Sequence, residues 1–420
     1  MLEPVAVPSA LECLRCSRRY PVVAMPGGCQ TCSAEGTPSN VRPVYSRAPS
    51  LKPNKLSGAG MIRYSAQLPV PRDRLVSLGE GGTPLISVPS LGREFGLRRM
   101  MIKDERLNPT GSWRDRYASL AVSSVAIEHE EAGVTVACAG DEALCVSVAA
   151  YAARAGLRSV SLVDGALAEH GSRVIDAIEG VGGRAVGVSG SDARWALLAD
   201  AERLLSWRAV SNRTVPPIGG DPVAVEAYRT IAFEIVEQYG LAVPDLVAVP
   251  TGLGDGLQGI WRGFKAMADW GVVDSLPRMV AVETGGALAS ALAGGKDWVV
   301  PSPDVAGAAR SLSGVTGTVQ GLNAVVESEG LVVRVTEGEL EAARLAIGET
   351  EGIWVDLAAA AGIAAIQKLA SRGDVPARVQ AVAVVTEHGL LDDSSVAPGS
   401  LDVVDARVDD LLRVLAVRGE

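Results

Sequence analysis

Between a predicted strand and a predicted helix the chain reads Lys103-Asp104-Glu105-Arg106-Leu107-Asn108-Pro109-Thr110-Gly111-Ser112-Trp113-Arg114-Asp115-Arg116. The strand is the short apolar run 100–103, and the helix covers 115–131. This order recurs along the chain. Further strands are predicted at 134–137, 159–163, 184–188, 246–249, 279–282 and 382–385, and further helices at 142–155, 192–206, 225–239, 257–269, 339–349 and 357–371. Because strands that alternate with helices form parallel sheets covered on both faces, the pattern predicts two α/β units sharing a cleft.

Composition limits the class of protein. The 420 residues are 48% hydrophobic, which is enough apolar material for two or three ordinary domains with a buried core. Acidic side chains outnumber basic ones by 49 to 39, giving a net charge of −10, and no Lys/Arg block stands out, so nucleic-acid binding is not expected. No apolar run is long enough to span a bilayer and no signal sequence opens the chain. We therefore expect a cytoplasmic protein without a membrane partner.

Four of the six cysteines are spaced as two CxxC pairs, Cys13, Cys16, Cys29 and Cys32. Two such pairs can place four thiolates at the corners of a tetrahedron, which is the geometry of a structural zinc site. The alternatives are a degenerate ribbon without metal and a set of redox-active thiols. Cys138 and Cys145 lie far from this cluster in apolar context, so they are predicted to be core residues.

Several blocks of sequence resemble threonine synthase, a pyridoxal-phosphate (PLP) enzyme of fold type II. They are the stretch quoted above and Gly79-Glu80-Gly81-Gly82-Thr83-Pro84-Leu85, Thr230-Ile231-Ala232-Phe233-Glu234-Ile235, Pro250-Thr251-Gly252-Leu253-Gly254-Asp255-Gly256 and Thr386-Glu387-His388-Gly389-Leu390. The resemblance implies a two-domain α/β body with an interdomain cleft, often preceded by a cysteine module, and a homodimer. The expected organisation is a zinc-ribbon-like module at 1–46, a connector at 47–69 and a body at 70–420, whose smaller subdomain covers roughly 115–215.

The resemblance also identifies positions that hold the cofactor in the family. These are the Schiff-base lysine, here Arg114; a Ser-Thr-Gly-Asn-Thr loop, here Cys138-Ala139-Gly140-Asp141-Glu142; a glycine loop for the phosphate, here Gly252, Gly254, Asp255 and Gly256; and a threonine at the pyridine nitrogen, here Thr386, followed by Glu387 and His388. A further family arginine, which helps to hold the substrate phosphate, is replaced by Ala224.

The departures share one physical consequence. A guanidinium stays protonated, so Arg114 cannot form an aldimine. The carboxylates of Asp141, Asp255 and Glu387 stand where a cofactor with about two negative charges would bind, and like charges repel. Asp255 has one alternative role, which is to cap the following helix with its side chain turned away. The sequence therefore predicts that PLP is not bound. No substitute lysine is expected among Lys52, Lys55, Lys103, Lys265, Lys296 and Lys368.

Three functions follow from this interpretation. The first is a PLP-independent lyase or synthase whose cleft uses Arg114, Asp141, Glu142, Glu387 and His388 on an amino-acid-like or amine-containing small molecule. The second is a non-catalytic scaffold, in which an Arg114–Asp141 ion pair fills the old site. The third is a PLP enzyme that holds its cofactor without a covalent link. An open cleft with convergent polar groups would favour an enzyme over a scaffold.

Overall fold

The computed structural model describes residues 6–46, 56–129, 133–169, 172–205, 207–301, 307–312 and 317–392. Part of the predicted connector, 47–55 with Lys52 and Lys55, lies outside these ranges. So does 393–420, the last part of the predicted body. The predicted domain boundaries themselves stay a prediction.

The described elements alternate as the sequence predicts. The strands are β1 Ala10–Cys13, β2 Arg19–Tyr20, β3 Val41–Val44, β4 Leu85–Ser87, β5 Arg99–Asp104, β6 Thr135–Cys138, β7 Arg158–Asp164, β8 Arg184–Val188, β9 Trp207–Ala209, β10 Leu246–Pro250, β11 Arg278–Glu283, β12 Leu331–Arg334 and β13 Gln380–Val385. The helices are α1 Gln30–Ala34, α2 Pro89–Glu94, α3 Arg114–Glu128, α4 Glu142–Arg154, α5 Arg173–Gly180, α6 Ser191–Leu205, α7 Pro222–Val225, α8 Arg229–Gln238, α9 Asp255–Asp269, α10 Ala287–Ala293, α11 Val319–Glu327, α12 Glu337–Glu351 and α13 Ala361–Ser371.

Two α/β sheets form the body. A four-stranded sheet, in the order β8-β7-β6-β9, is parallel throughout. A six-stranded sheet has the order β12-β11-β10-β13-β5-β4 and is parallel except at its edge, where β4 pairs antiparallel with β5. The expectation of wholly parallel sheets is wrong for this edge, because the chain between β4 and β5 is shorter than the dozen or so residues that a parallel crossover needs.

The cysteine module is a separate small sheet at the N-terminal end. Its strands pair antiparallel in the order β2-β1-β3. Leu11 and Val41 pack with the buried cysteines of this region to form its own small core. The module touches the body through specific hydrogen bonds, including one from the Asn40 side chain to the carbonyl oxygen of Gly220 at 2.9 Å.

A buried ionic network fixes the turn that leads from β5 into α3. Arg116 is fully buried and donates to Glu105 at 2.7 Å and to Glu234 at 2.7 Å. Lys103, also fully buried, donates to Glu234 at 2.6 Å. Because buried charges are tolerated only when they are paired, these contacts tie β5, α3 and α8 into one rigid unit. Arg114, two residues before Arg116, is thereby held at the C-terminal edge of the larger sheet.

Candidate active site

A cavity of about 400 Å³ lies between the two sheets, at the ends of β6, β10 and β13. Its volume is in the range typical of small-molecule sites. Among the described residues, five carboxylates and three guanidinium groups line it: Asp141, Glu142, Asp164, Asp255, Glu387, Arg114, Arg194 and Arg310. The cavity is therefore open and rich in convergent charge, and the ion pair predicted by the scaffold hypothesis does not fill it.

Arg114 begins α3 and points its guanidinium into the cavity wall. One terminal nitrogen forms an ion pair with Asp141, and the other donates to the Tyr228 hydroxyl at 3.0 Å. Burial opposes the charge, but Asp141, Tyr228 and Glu387 together outweigh it and hold the pKa of Arg114 well above its ordinary value. The group at this position is therefore a fixed cation and not a nucleophile.

Trp113 forms an aromatic wall beside Arg114. Its ring centroid lies 4.9 Å from that of Tyr228 and 5.3 Å from the guanidinium carbon of Arg114. A Cβ atom at Gly256 would lie 2.2 Å from a carbon of the Trp113 ring, so the indole occupies the space of a side chain at position 256. Trp113 and Gly256 are thus a complementary pair in the cavity wall.

The loop after β6 supplies two acidic side chains. Asp141 accepts the backbone N–H of Leu144 at 2.8 Å and so caps α4, in addition to pairing with Arg114. Glu142 lies 3.4 Å from Arg310, and burial raises its pKa. The structure therefore brings both predicted residues of this loop to the cavity.

The glycine loop after β10 carries Asp255 at the start of α9. Its carboxylate accepts the backbone N–H of Gly220 at 3.0 and 3.2 Å and also contacts the Gln320 side-chain amide. The alternative role of Asp255 as a cap of α9 is wrong, because Gly254 is the cap residue and no side chain caps this helix. Burial raises the pKa of Asp255. The carboxylate instead forms part of the cavity wall, where it opposes a phosphate dianion.

Two of the three predicted residues after β13 reach the cavity. Thr386 lines it and accepts the backbone N–H of Trp113 at 2.9 Å. Glu387 is 9% exposed and accepts the Ser112 hydroxyl at 3.4 Å; burial, reinforced by Asp356, raises its pKa well above the ordinary value. His388 is not among the described lining residues, since its Nδ1 accepts the N–H of Leu390 at 3.1 Å. The catalytic role predicted for His388 stays a prediction.

No lysine in the described part of the chain lines the cavity. Lys103 is buried in the network with Glu234, where burial lowers its pKa, and Lys265 and Lys368 pair with glutamates on helices. Ala224 is fully buried in α7 and also stays outside the cavity. Within the described ranges, no lysine is therefore placed to hold PLP covalently in this cavity.

Sequence reasoning missed several residues of the site. Arg194 and Arg310 line the cavity, and the fully buried Tyr228 contacts Arg114 from outside it. None of the three carries a motif that distinguishes it from ordinary helix or loop residues, and each reaches its place through tertiary packing. Arg194 donates to the carbonyl oxygen of Gly140 at 3.3 Å, while its buried Nε has no hydrogen-bond partner. The nearest sequence signal to Tyr228 is the family-like block that begins two residues later, at Thr230.

The four module cysteines converge as predicted. All of their Sγ atoms lie within 4.8 Å of one another, and the Cys13–Cys32 and Cys16–Cys29 distances are each 3.7 Å. Tetrahedral zinc with Zn–S bonds of about 2.3 Å requires sulfurs about 3.8 Å apart, so the set fits zinc. Backbone N–H groups of Arg15 and Cys16 point at the Cys13 sulfur from 3.4 Å. Such N–H groups orient a thiolate ligand and stabilise its negative charge.

Cys138 and Cys145 are fully buried with their sulfurs 3.9 Å apart, as predicted for core residues. Within the described ranges, no helix combines the length and apolarity needed to cross a bilayer.

Comparison with known proteins agrees with the fold and with the family-like motifs. Residues 76–387 match the family described as "Pyridoxal-phosphate dependent enzyme". The chain is 29% identical over 415 residues to threonine synthase of Methanocaldococcus jannaschii, covering 95% of this chain and 96% of that protein. It is 31% identical over 357 residues to threonine synthase of Mycobacterium tuberculosis strain H37Rv, covering 82% and 92%.

Solved structures show the same architecture at lower identity. Threonine deaminase isoform 2 from Solanum lycopersicum superposes with a TM-score of 0.63 at 18% identity, covering 89% of this chain and 100% of that one. A fungal L-serine ammonia-lyase from Rhizomucor miehei gives a TM-score of 0.63 at 20% identity, covering 74% and 96%. The sheets, the family motifs and these matches together show that the chain belongs to the pyridoxal-phosphate-dependent enzyme family and is a threonine synthase-like member with the fold type II architecture.

Proposed function

We propose that this protein is a lyase or synthase that works without PLP on an amino-acid-like or amine-containing small molecule in the cavity. The observation that carries the proposal is the fixed positive charge of Arg114 and the contacts that its guanidinium makes. Its guanidinium stands at the family's lysine position, is paired with Asp141 and donates to Tyr228, so it cannot attack an aldehyde.

The surrounding changes support the same proposal. Asp255 and Glu387 place carboxyl groups in the cavity wall, and Trp113 takes the space beside Gly256. Each change alone would weaken cofactor binding, and together they form a packed and hydrogen-bonded arrangement. A substrate with a protonated amine would be attracted to this wall, whereas a phosphate ester would be repelled.

The cavity groups can provide acid–base chemistry. Because burial raises the pKa of Glu387, its carboxyl group keeps a proton to higher pH than an exposed glutamate and can donate it to a leaving group. The fixed positive charge of Arg114 can stabilise negative charge that develops on a substrate oxygen. Asp141 orients Arg114, and Glu142 adds a second acidic group next to it.

A second candidate is a PLP enzyme that holds the cofactor non-covalently. The family match favours it, as do the bare backbone of Gly252 and Gly254 and the start of α9, the kind of helix N-terminus that binds phosphate. The scaffold hypothesis gains no such support, because an open cavity of about 400 Å³ is present.

The deciding experiment is a visible absorption spectrum of the purified protein before and after addition of PLP and borohydride, followed by mass analysis for phosphopyridoxyl-lysine. We expect no aldimine band and no adduct. Arg114→Lys alone should behave in the same way, since the acidic side chains of Asp141, Asp255 and Glu387 stay in the cavity wall. Each of them that is ionised opposes the negative charge of the cofactor by on the order of 1 kcal/mol in a partly desolvated cleft. The matched control combines Arg114→Lys with Asp141→Asn, Asp255→Gly and Glu387→Gly, and should regain cofactor binding.

A stoichiometric adduct on one lysine of the unaltered protein would overturn the proposal, and saturable PLP binding without an adduct would favour the second candidate. Phosphate release from O-phosphohomoserine should stay at background. Amino acids and small amines should raise the thermal midpoint of the unaltered protein, and Glu387→Gln should weaken this effect. If none of them does so, the scaffold hypothesis replaces the proposal.

A further inference from the structure

One backbone segment, Gly219 and Gly220, lies between the cysteine module and the cavity. On the cavity side, the N–H of Gly220 donates to both carboxylate oxygens of Asp255, at 3.0 and 3.2 Å. On the module side, the carbonyl oxygen of Gly220 accepts the side-chain amide of Asn40 at 2.9 Å. The two polar groups of a single residue are therefore fixed by the two separate parts of the molecule.

The segment has little freedom of its own. Gly219 has a φ of +111°, a conformation that favours glycine. A Cβ atom there would lie 1.9 Å from the Gln320 amide nitrogen and 2.7 Å from Asp255, and one at Gly220 would lie 2.5 Å from the Tyr117 hydroxyl. The surrounding groups are packed closely against both glycines, and Gly220 is hydrogen-bonded to Asp255. A displacement of this backbone would therefore also displace the Asp255 carboxylate.

Asn40 is in turn held by the cysteine-bearing loops. It is 3% exposed, and its backbone carbonyl accepts the N–H of Leu14, which lies between Cys13 and Cys16, at 3.1 Å. Its neighbour Ser39 accepts the N–H of Cys29 at 2.8 Å. Both CxxC loops therefore bond to the two residues that precede β3, and the metal that holds the loops together would fix Asn40 as well.

From these contacts we infer that Asn40 is a positioning residue for Asp255 and that zinc in the cysteine module controls the placement of this cavity carboxylate. The module is then a structural support of the site as well as a folding unit. The inference does not depend on the reaction proposed above, since it concerns the position of one carboxylate.

The test is hydrogen exchange with mass spectrometry on the full-length protein, following the amides of residues 219–221. Asn40→Ala removes the donor to Gly220, and we expect roughly five- to tenfold faster exchange of these amides, as for the loss of one buried hydrogen bond. Asn40→Asp keeps the acceptor for the Val41 N–H, at 2.9 Å, and also removes the donor, so it should give the same result if the alanine variant folds poorly. Zinc content should not change in either.

Asn323→Ala is the matched control, because its side chain donates to the Leu14 carbonyl and so joins module and body without touching Gly220. It should leave exchange at 219–221 unchanged. Zinc extraction should accelerate exchange at 219–221 in the unaltered protein, and return of zinc should restore the slower exchange. In Asn40→Ala, where exchange at these residues is already fast, zinc extraction should accelerate it little further. Any of three results would overturn the inference. These are unchanged exchange in both Asn40 variants, an equal acceleration of exchange at 219–221 in Asn323→Ala, and faster exchange confined to the cysteine module after zinc extraction.

Discussion

At the scale of the residue, the Trp113–Gly256 contact gives a prediction about stability. Ala is normally the better helix former, by roughly 1 kcal/mol, but a Cβ at position 256 would meet the Trp113 ring at 2.2 Å. We expect Gly256→Ala to destabilise the protein by about 1–3 kcal/mol through overpacking. In a Trp113→Phe background, where the second ring is absent, the same change should be neutral or stabilising.

Urea unfolding of the four proteins in this cycle measures the coupling free energy directly. Additive effects of the two substitutions would contradict the view that Trp113 and Gly256 are a complementary pair. The exposed Gly338, where a Cβ meets nothing within 4 Å, provides a control for the Gly→Ala change itself.

A second residue-scale prediction concerns Asp356, which lies beside the cavity. Burial, reinforced by Asp392, raises its pKa to about 7. Because the folded-state pKa lies above the unfolded value of about 3.9, the carboxylate destabilises the fold increasingly as pH rises through this interval. Asp356→Asn keeps an acceptor for the N–H groups of Ala358 and Ala359, which Asp356 now bonds at 2.8 and 3.2 Å.

The variant should therefore melt a few degrees (about 2–4 °C) above the unaltered protein at pH 8, and the difference should shrink as pH falls towards 4. Thermal denaturation across this range tests it. Asp274→Asn, at an exposed position, controls for the removal of one charge. A difference between Asp356→Asn and the unaltered protein that grows on acidification would contradict the assignment.

At the scale of the element, sequence patterns predicted the strands and helices that carry long periodic runs. The run predicted at 134–137 is β6, Thr135–Cys138, and the run at 246–249 is β10, Leu246–Pro250. Strands β4 and β9 were missed because each has three residues, too few to show a period.

The polar contacts of the site could be predicted only in part. The Arg114–Asp141 pair follows from two substitutions in family motifs, and the structure shows it. The partners Tyr228 of Arg114 and Gly220 of Asp255 are distant in sequence and are brought together by the packing of the two sheets. No local pattern records such a contact. In the same way, sequence does not show that Glu387 lines the cavity while its neighbour His388 is not among the described lining residues.

The cysteine module gives the prediction at element scale. With sulfur pairs 3.7 Å apart and a small core, we expect one zinc per chain and a lower thermal midpoint after zinc removal. Cys16→Ser should lose most of the zinc, whereas Cys138→Ala, which removes a core thiol outside the module, should retain it. Elemental analysis of protein purified without chelator is the measurement, and less than roughly a tenth of an equivalent would refute a structural zinc site.

At the scale of the whole molecule, fold and site have separate physical requirements. The sheets are maintained by buried apolar side chains and by the Arg116 network. Arg114 contacts the apolar core through Trp113 and Tyr228, but its ion pair with Asp141 and the carboxyl groups of Asp255 and Glu387 belong to neither set. The cavity wall could therefore change without loss of the architecture. This separation would allow a chain to keep the family fold while the polar groups of its cavity change, as the proposed function requires.

The last prediction concerns assembly, for which the family resemblance implies a homodimer. Each copy carries a net charge of −10, so two copies repel each other, and salt should reduce that repulsion as the screening length falls from about 20 Å near 0.02 M to about 6 Å near 0.3 M. We expect light scattering at micromolar concentration to give twice the chain mass, with a dissociation constant that decreases several-fold over this range of salt. Because apolar contacts respond weakly to such concentrations, an association that weakens with salt would instead indicate an interface held by opposite charges. A single-chain mass at every salt concentration would refute the homodimer.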